Sequence, residues 1–193
     1  MGLTHEGRMR LWTYLFDPPV LAMLTFAAFY LVVPADRSLG ACLTGVISTG
    51  LVPLAAWLHL IRHPGDMRGE RKLSFVLCIA GYTAGTLIMF TFFRQQHLYI
   101  ALMLSYVFTV VGLALVNLLH YKASGHAAGA TGPATAFTIV FGWLGAASFA
   151  LLLLVAISKT EVKDHTLGQL CTGAAIAAVS TVTSFAMMGI VRL

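Results

Sequence analysis

The stretch that decides the fold opens with KASGH at residues 122–126 and closes with HTLGQ at residues 165–169. Between Lys122 and Lys159 lie 36 residues without one Asp, Glu, Lys or Arg. A single helix of that length would measure about 54 Å at ~1.5 Å per residue, far more than the ~30 Å hydrocarbon core of a bilayer. The segment is therefore either one span of about 25 residues plus a polar loop, or two short spans that turn near Gly142.

The histidines that flank this segment separate the two alternatives. With one span, His126 and His165 lie on opposite faces of the membrane and cannot act together. With two spans, roughly residues 124–141 and 143–158, both histidines face the same side. Short helices at membrane depth are tolerated where protein buries them. We therefore predict that the segment doubles back and that the two histidines meet at one site.

The rest of the chain is equally apolar. It has 193 residues, of which 59% are hydrophobic and 10% are charged, and its mean hydropathy is +0.86. Because soluble domains usually carry about 25% charged residues, the bilayer is the natural solvent for this chain. Further apolar runs at residues 20–33, 40–61, 73–93, 98–119 and 167–191 predict an all-α membrane bundle of seven spans. The alternative is six spans, and in either case residues 1–193 form a single integral-membrane domain.

Positive charge outnumbers negative charge, with 12 Lys+Arg against 7 Asp+Glu and a net charge of +5. In a membrane protein this excess predicts orientation and contact with anionic headgroups, and not nucleic-acid binding. The cations on the side of the predicted polar clusters are Arg8, Arg10, Arg62, Arg68, Arg71, Lys72, Lys122, Lys159 and Lys163, and those on the other side are Arg37, Arg94 and Arg192. We therefore expect a multi-pass protein of the plasma membrane whose polar clusters face the cytoplasm.

Small residues and cysteines within the apolar runs indicate packing rather than chemistry. Gly81 and Gly85, four residues apart, predict the close approach of a neighbouring helix. Cys42, Cys78 and Cys171 have no C-x-x-C spacing, so metal and disulfide roles are not expected.

The two polar clusters have the local patterns of helix N-termini. Ser124 is a good N-cap, which would leave the backbone N–H groups of Gly125 and His126 pointing at an anion such as phosphate. His165 lies at the start of the last span, and Gln169, four residues later, shares its helical face. The Gln169 amide can therefore bond one ring nitrogen of His165 and leave the other nitrogen available as a nucleophile.

A single histidine at a membrane interface more often contacts headgroups or backbone than performs catalysis, and interfacial Lys and Arg side chains usually extend toward the headgroups. We interpret His59, His63, His97 and His120 in that structural way. Only His126 and His165, which flank the uncharged segment, have neighbouring residues that suggest a catalytic role.

These residues resemble a known family. Lys122-Ala-Ser-Gly-His126 and Ser158-Lys159-x5-His165-x3-Gln169 resemble motifs two and three, P-S-G-H and S-R-x5-H-x3-D, of the type 2 phosphatidic acid phosphatase superfamily. The chain resembles a divergent branch of small archaeal and bacterial membrane proteins with K-x-S-x-H and H-T-x-x-Q motifs. FDPP at residues 16–19 also resembles that branch. The first motif, K-x6-R-P, is absent in that form, and the basic cluster at residues 66–72 is its candidate equivalent.

The resemblance implies a core like that of these phosphatases and a role for each matched residue. His165 would attack phosphorus and become a phosphohistidine, His126 would protonate the leaving alkoxide, and Gln169 would orient His165. The groups implied to hold phosphate oxygens are Arg68, Arg71, Lys122, Ser124, Gly125 and Lys159, with possible support from Asp66. No metal and no cofactor is implied, because fixed cations and hydrogen-bond donors would stabilise the developing charge.

The implied substrate is a membrane lipid phosphate whose tail enters from the bilayer. A polyprenyl or other isoprenoid phosphate, diphosphate or polyprenyl-linked sugar phosphate is favoured. A glycerolipid phosphate, such as phosphatidate or phosphatidylglycerophosphate, is the alternative, because a groove of Leu, Phe and Ala accepts either tail.

Two other classes of function fit parts of the sequence. The first is a non-catalytic lipid-phosphate binder or flippase, which Gln169 in place of an acid and the weak first motif would suit. The second is a membrane cytochrome that uses interfacial histidines as haem ligands. The vanadium-dependent haloperoxidases share the histidine motifs, but they are soluble, and seven apolar runs argue against them.

Overall fold

The computed structural model describes residues 17–150, 152–154 and 165–191, and every regular element in these ranges is helical. In chain order the helices are α1 (Pro18–Val32), α2 (Leu39–Arg62), α3 (Met67–Phe92), α4 (His97–Leu118), α5 (Gly125–Phe141), α6 (Trp143–Ala146) and α7 (Leu167–Met187). Short 3₁₀ turns cover Pro34–Asp36 and Ala147–Phe149, and a π-helical turn at Ile47–Leu51 interrupts α2. The all-α prediction is confirmed for the described residues.

Within the described ranges, four helices are long and apolar enough to cross a membrane: α2, α3, α4 and α7, with 24, 26, 22 and 21 residues. They correspond to four of the predicted spans, and the chain is accordingly a helical membrane protein. Two further helices, α1 and α5, coincide with predicted spans but are shorter than the ~20 residues of a full crossing. α1 has 15 residues and α5 has 17, which correspond to about 22 Å and about 26 Å at ~1.5 Å per residue.

The shortness of α1 has a local cause. Pro18 and Pro19 occupy its first two positions, where the missing N–H groups are tolerated. At the other end, Pro34 disfavours helical geometry at the residue before it, and Val33 is indeed the non-helical C-cap.

The central uncharged segment reverses direction at Gly142, as predicted. This residue has φ +62°, a conformation that glycine adopts without the steric cost of a Cβ. The returning chain passes so close to α5 that a Cβ at Gly145 would overlap the Phe137 carbonyl oxygen. Leu152 then packs beside Ala130, so the segment runs back along α5 toward its N-terminus. Residues 155–158 of the predicted second span lie outside the described ranges.

The core is centred on α4. Its first six residues after His97 are all buried, from Leu98 to Met103, as expected for a helix that is apolar on every side. α3 and α7 pack against α4, and α7 also packs along α5. Phe29 of α1 stacks on Phe137 of α5 with ring centroids 4.8 Å apart. Large apolar side chains outside this core are exposed, for example Phe92 at 75% and Trp143 at 82%, as lipid-facing positions would be.

The predicted glycine contact is present between α3 and α2. A Cβ at Gly81 would overlap the carbonyl oxygen of Ser48, and one at Gly85 would overlap the Ser48 side chain. Ser48 lies in the π-helical turn of α2. The two glycines therefore allow the irregular part of α2 to pack directly on α3.

Candidate functional site

Residues from both ends of the uncharged segment line one pocket of about 580 Å³. The pocket lies at the end of the bundle where α1, α3, α5 and α7 begin and where α2 and α4 end, which we call the site end. Its lining residues are Arg71, Lys72, Phe75 and Val76 of α3, Asn117 of α4, Lys122, Ala123, Gly125 and His126 at the start of α5, and His165 just before α7. Both histidines and three cations therefore border the same space.

Local capping places His126 at the pocket. Ser124 is the N-cap of α5, and its Oγ accepts a hydrogen bond from the Ala127 N–H at 3.3 Å. The first N–H groups of a helix point out of its N-terminus, and Gly125 and His126 provide them here. The pocket thus combines helix N–H groups with nearby cations, which is a favourable environment for an anion.

Local capping also places His165. Thr166 is the N-cap of α7, and Gln169 closes a capping box with it. The Gln169 Oε1 accepts from the Thr166 N–H at 3.1 Å and lies 3.2 Å from His165 Nδ1. Because a backbone N–H can only donate, the atom facing it is the amide oxygen, and an oxygen requires Nδ1 of His165 to carry the proton. The lone pair of the neutral His165 ring then lies on Nε2.

A close contact between helices brings the two N-termini together. The Ser124 N–H donates to the Gln169 carbonyl oxygen at 3.0 Å. A Cβ at Gly173 would overlap the Ser124 carbonyl oxygen and lie 3.0 Å from its carbonyl carbon. Glycine at position 173 therefore allows α7 to touch the residue that caps α5, and the two histidines reach one pocket as a result.

A second cavity, of about 260 Å³, adjoins this pocket. The two share Arg71, Phe75, Gly125 and His126 as lining residues. The remaining wall of the second cavity is mainly apolar and aromatic, and it includes Trp57, Leu60, Tyr82, Tyr106 and Val110. The site end thus has a cationic compartment next to an apolar one that extends between α3, α4 and α5.

Asp17 is a residue of this site that the sequence interpretation did not include. Its Oδ1 lies 3.6 Å from His126 Nε2, and the two side chains are 20% and 25% exposed. The only signal in the sequence was the FDPP stretch, to which no role was assigned. Lys72 and Asn117 were likewise absent from the predicted set, although Lys72 belongs to the basic cluster at residues 66–72.

Several predicted residues do not line the cationic pocket. Arg68 is exposed one turn closer to the N-terminus of α3. Ser124 is fully buried, and its Oγ is used to cap α5, so it positions His126 instead of bordering the pocket. Lys159 lies outside the described residues.

Asp66 also lies outside the pocket, where it caps α3. It accepts from the Gly69 N–H at 2.9 Å, and its other oxygen lies 2.9 Å from His59 Nε2. The pKa of the Asp66 carboxyl is held below its ordinary value mainly by the backbone hydrogen bond from Gly69 and, to a smaller extent, by the hydrogen bond with His59. Asp66 therefore supports the entry to α3 and the end of α2.

The described part of the chain contains no group of three or more His, Cys, Asp or Glu side chains arranged to hold a metal ion. Comparison with protein-family models, curated proteins and solved structures finds no match for this chain.

Proposed function

We propose that the protein is a lipid phosphate phosphatase that acts through a phosphohistidine intermediate, with no metal required. The observation that supports this most directly is the shared pocket, in which His126, His165 and the cations Arg71, Lys72 and Lys122 border one space. Phosphoryl transfer depends mainly on positioning and on stabilising charge. A pocket with two histidines and three cations can both position a phosphate group and stabilise its charge.

The hydrogen bonds at His165 suit a nucleophile. With the proton on Nδ1 facing Gln169, the Nε2 lone pair attacks phosphorus, and the bond from phosphorus to the alkoxide oxygen breaks. His126 gives its proton to that oxygen, so the lipid alcohol leaves as a neutral molecule. Water then attacks the phosphohistidine after losing a proton to His126, which releases inorganic phosphate and restores both histidines.

Fixed positive charge serves the transferring group. Arg71, Lys72 and Lys122 would neutralise the equatorial oxygens, and the N–H groups at the start of α5 add oriented donors. Lys159 remains part of the proposal through the family resemblance alone. Lysine at that position would provide a point charge and not the paired hydrogen bonds of arginine.

The adjoining apolar cavity supports a lipid as substrate. It shares Arg71 and His126 with the cationic pocket. A lipid whose phosphate group lies in the cationic pocket would therefore place its apolar chain among the aromatic side chains of the adjoining cavity. An isoprenoid phosphate, diphosphate or polyprenyl-linked sugar phosphate remains the favoured substrate, and a glycerolipid phosphate is the alternative.

The test is phosphate release in detergent from a panel of isoprenoid and glycerolipid phosphates with EDTA present. The wild type should release phosphate, and His165→Ala should lose the nucleophile and on the order of 10³-fold or more of the rate. His126→Ala should lose about 10²–10⁴-fold, the usual contribution of a general acid. Leu118→Ala, an exposed apolar position at the end of α4, is the matched control and should keep wild-type activity.

Two results would overturn the proposal. Phosphate release that requires added Mg²⁺ would exclude the metal-free mechanism. Binding of lipid phosphates without release, unchanged in His165→Ala, would instead identify a non-catalytic binder or flippase. Trapping the ³²P-labelled intermediate at alkaline pH, where phosphohistidine persists, should label the wild type and not His165→Ala.

A further inference from the structure

Asp17 stands at a helix N-cap position but does not cap. It precedes α1, and its side chain makes no capping hydrogen bond. An N-cap aspartate normally accepts from the N–H of the second or third helical residue. Here the first two positions are Pro18 and Pro19, which have no N–H, and the third, Val20, donates to the Asp17 carbonyl oxygen at 2.9 Å. The proline pair therefore leaves the carboxylate to a partner outside its own helix.

Packing between α1 and α5 directs that carboxylate to His126. A Cβ at Gly129 would lie 2.7 Å from Pro18 Cβ and 3.0 Å from Pro18 Cα, so the start of α1 rests on the backbone of α5 at this glycine. Gly129 lies three residues after His126 and therefore on the same face of α5. Contact at Gly129 places Asp17 beside the His126 ring, where Oδ1 and Nε2 are 3.6 Å apart.

We propose that Asp17 is the positioning residue that keeps His126 protonated for its role as proton donor, an inference that rests on the proposed phosphatase function. A carboxylate within ~4–6 Å favours the charged form of a histidine. The proton on Nε2 would stay facing Asp17, and the proton on Nδ1 would pass to the leaving alkoxide oxygen. Nδ1 would then accept the proton of the attacking water, so Asp17 itself remains ionised throughout.

The surrounding charges explain why His126 needs such a partner. Arg71 and Lys72 from α3 and Lys122 before α5 border its pocket together with the neutral His165 ring, and each of the three positive charges disfavours a protonated His126 ring. Negative charge borders the adjoining apolar cavity, which His126 also lines and to which Glu70 of α3 and Asp17 contribute carboxylates. The cations that bind phosphate would thus remove the proton that the leaving group requires, and Asp17 offsets them.

The experiment is an NMR titration of histidine-labelled protein in detergent micelles, with the His126 signal assigned from the spectrum of His126→Ala. In Asp17→Asn the titration midpoint of His126 should fall by about one pH unit or more, as expected when a nearby opposite charge is removed. The matched control is Asp66→Asn, which removes the carboxylate beside His59 outside the pocket and should leave His126 unchanged. A His126 midpoint equal in wild type and Asp17→Asn would overturn the inference.

A second variant keeps the Asp17 carboxylate in the chain but changes its distance from His126. Gly129→Ala puts a methyl group against Pro18, which should move Asp17 away from His126 and lower the midpoint in the same direction. If Asp17→Asn does not fold, this variant decides the matter, and an unchanged midpoint in Gly129→Ala would count against the inference.

Activity provides a separate measurement. In Asp17→Asn the alkaline limb of the kcat profile should move to lower pH, because His126 loses its proton earlier. The titration needs no turnover, so it tests the effect of Asp17 on His126 protonation even if the proposed function fails. Conversely, phosphate release that depends on His165 together with an unmoved His126 midpoint would leave the proposed function standing and remove only the role of Asp17.

Discussion

The N-terminal turns of α5 and α7 each bring a histidine to the same pocket, but the two histidines have different kinds of partner. His165 is bonded by Gln169, four residues later, at 3.2 Å. His126 lies 3.6 Å from Asp17, which is 109 residues earlier in the chain and belongs to another helix. One partner is a neutral amide supplied locally, and the other is a carboxylate supplied by tertiary packing.

This difference suits the roles proposed for the two residues. An acceptor at Nδ1 sets the tautomer of His165, which leaves the lone pair on Nε2 for attack. A carboxylate beside His126 favours the protonated ring, as a proton donor requires. In the phosphatase motif that the chain resembles, the acid follows the nucleophilic histidine. Here the structure has an amide at that place and a carboxylate beside the other histidine.

Among changes that leave both histidines in the chain, the largest effect should come from separating the two turns. Gly173→Ala would place a methyl group against the backbone of Ser124, and the contact between α7 and the start of α5 would have to open. Because a displacement of ~1 Å in reacting groups can cost about 10²-fold, we expect a loss of that order in phosphate release. For stability, Gly132→Ala is the packing control, since a Cβ there would lie 3.6 Å from Thr181 Oγ1.

Thermal unfolding in detergent distinguishes the two glycines. Gly173→Ala should lower Tm, consistent with the ~1–3 kcal/mol typical of overpacking, whereas Gly132→Ala should keep the wild-type Tm. Full activity in Gly173→Ala would mean that the contact with Ser124 is not what aligns the histidines.

A smaller effect should follow from changing only the local partner of His165. Gln169→Leu removes the acceptor for Nδ1, and we expect kcat to fall about 10–100-fold, as for other residues that orient a functional histidine. Gln169→Asp should keep or raise activity, and Gln169→Glu more so, because it retains the length of glutamine and the capping box while adding a charge. Equal rates in these variants would remove Gln169 from the mechanism.

Thr166→Ala is the control for the local partner. It breaks the other half of the capping box, in which Thr166 Oγ1 accepts from the Gln169 N–H at 3.3 Å, and it leaves the His165 contact in place. It should therefore reduce stability by about 1 kcal/mol and affect kcat less than Gln169→Leu does.

The smallest effect should be at a different N-terminus of the site end, that of α3. Asp66 has a pKa held below its ordinary value by the Gly69 N–H and by His59. Its contribution to stability is therefore present above the ordinary carboxyl range and is lost as the pH falls through the lowered pKa. Asp66→Asn keeps a good N-cap but cannot titrate, so the difference in Tm between wild type and variant should shrink on acidification. A constant difference from about pH 7 to about pH 3 would contradict this account.

Much of the local structure could be predicted because each prediction used residues close together in the chain. Ser124 and Thr166 cap the helices that follow them, Gly142 makes the turn, and Gln169 contacts His165. The close approach at Gly81 and Gly85 was also predictable, since two small residues on one face leave room for a neighbour. The identity of that neighbour, the π-helical turn of α2, was not.

The predictions that missed concern the arrangement of helices. Arg68 and Arg71 look equivalent in the basic cluster, yet only Arg71 lines the pocket, because α3 begins at Met67 and Arg68 lies in its exposed first turn. The count of seven spans stays a prediction, because proline and glycine at the ends of α1 and α5 leave these helices shorter than the ~20 residues of a full crossing. Asp17 was overlooked because nothing near it in the sequence indicates a histidine partner.

By itself, the sequence determined that the protein is a membrane protein, where its apolar helices lie, which residues cap them and which polar residues stand at their N-termini. Each of these follows from composition or from hydrogen bonds that span about one helical turn. Only the tertiary structure decided which cations border the pocket, that α7 touches Ser124 through Gly173, and that Asp17 meets His126 over Gly129. Those contacts depend on how far each helix slides and rotates against its neighbours, and side-chain volumes from the whole bundle set that register.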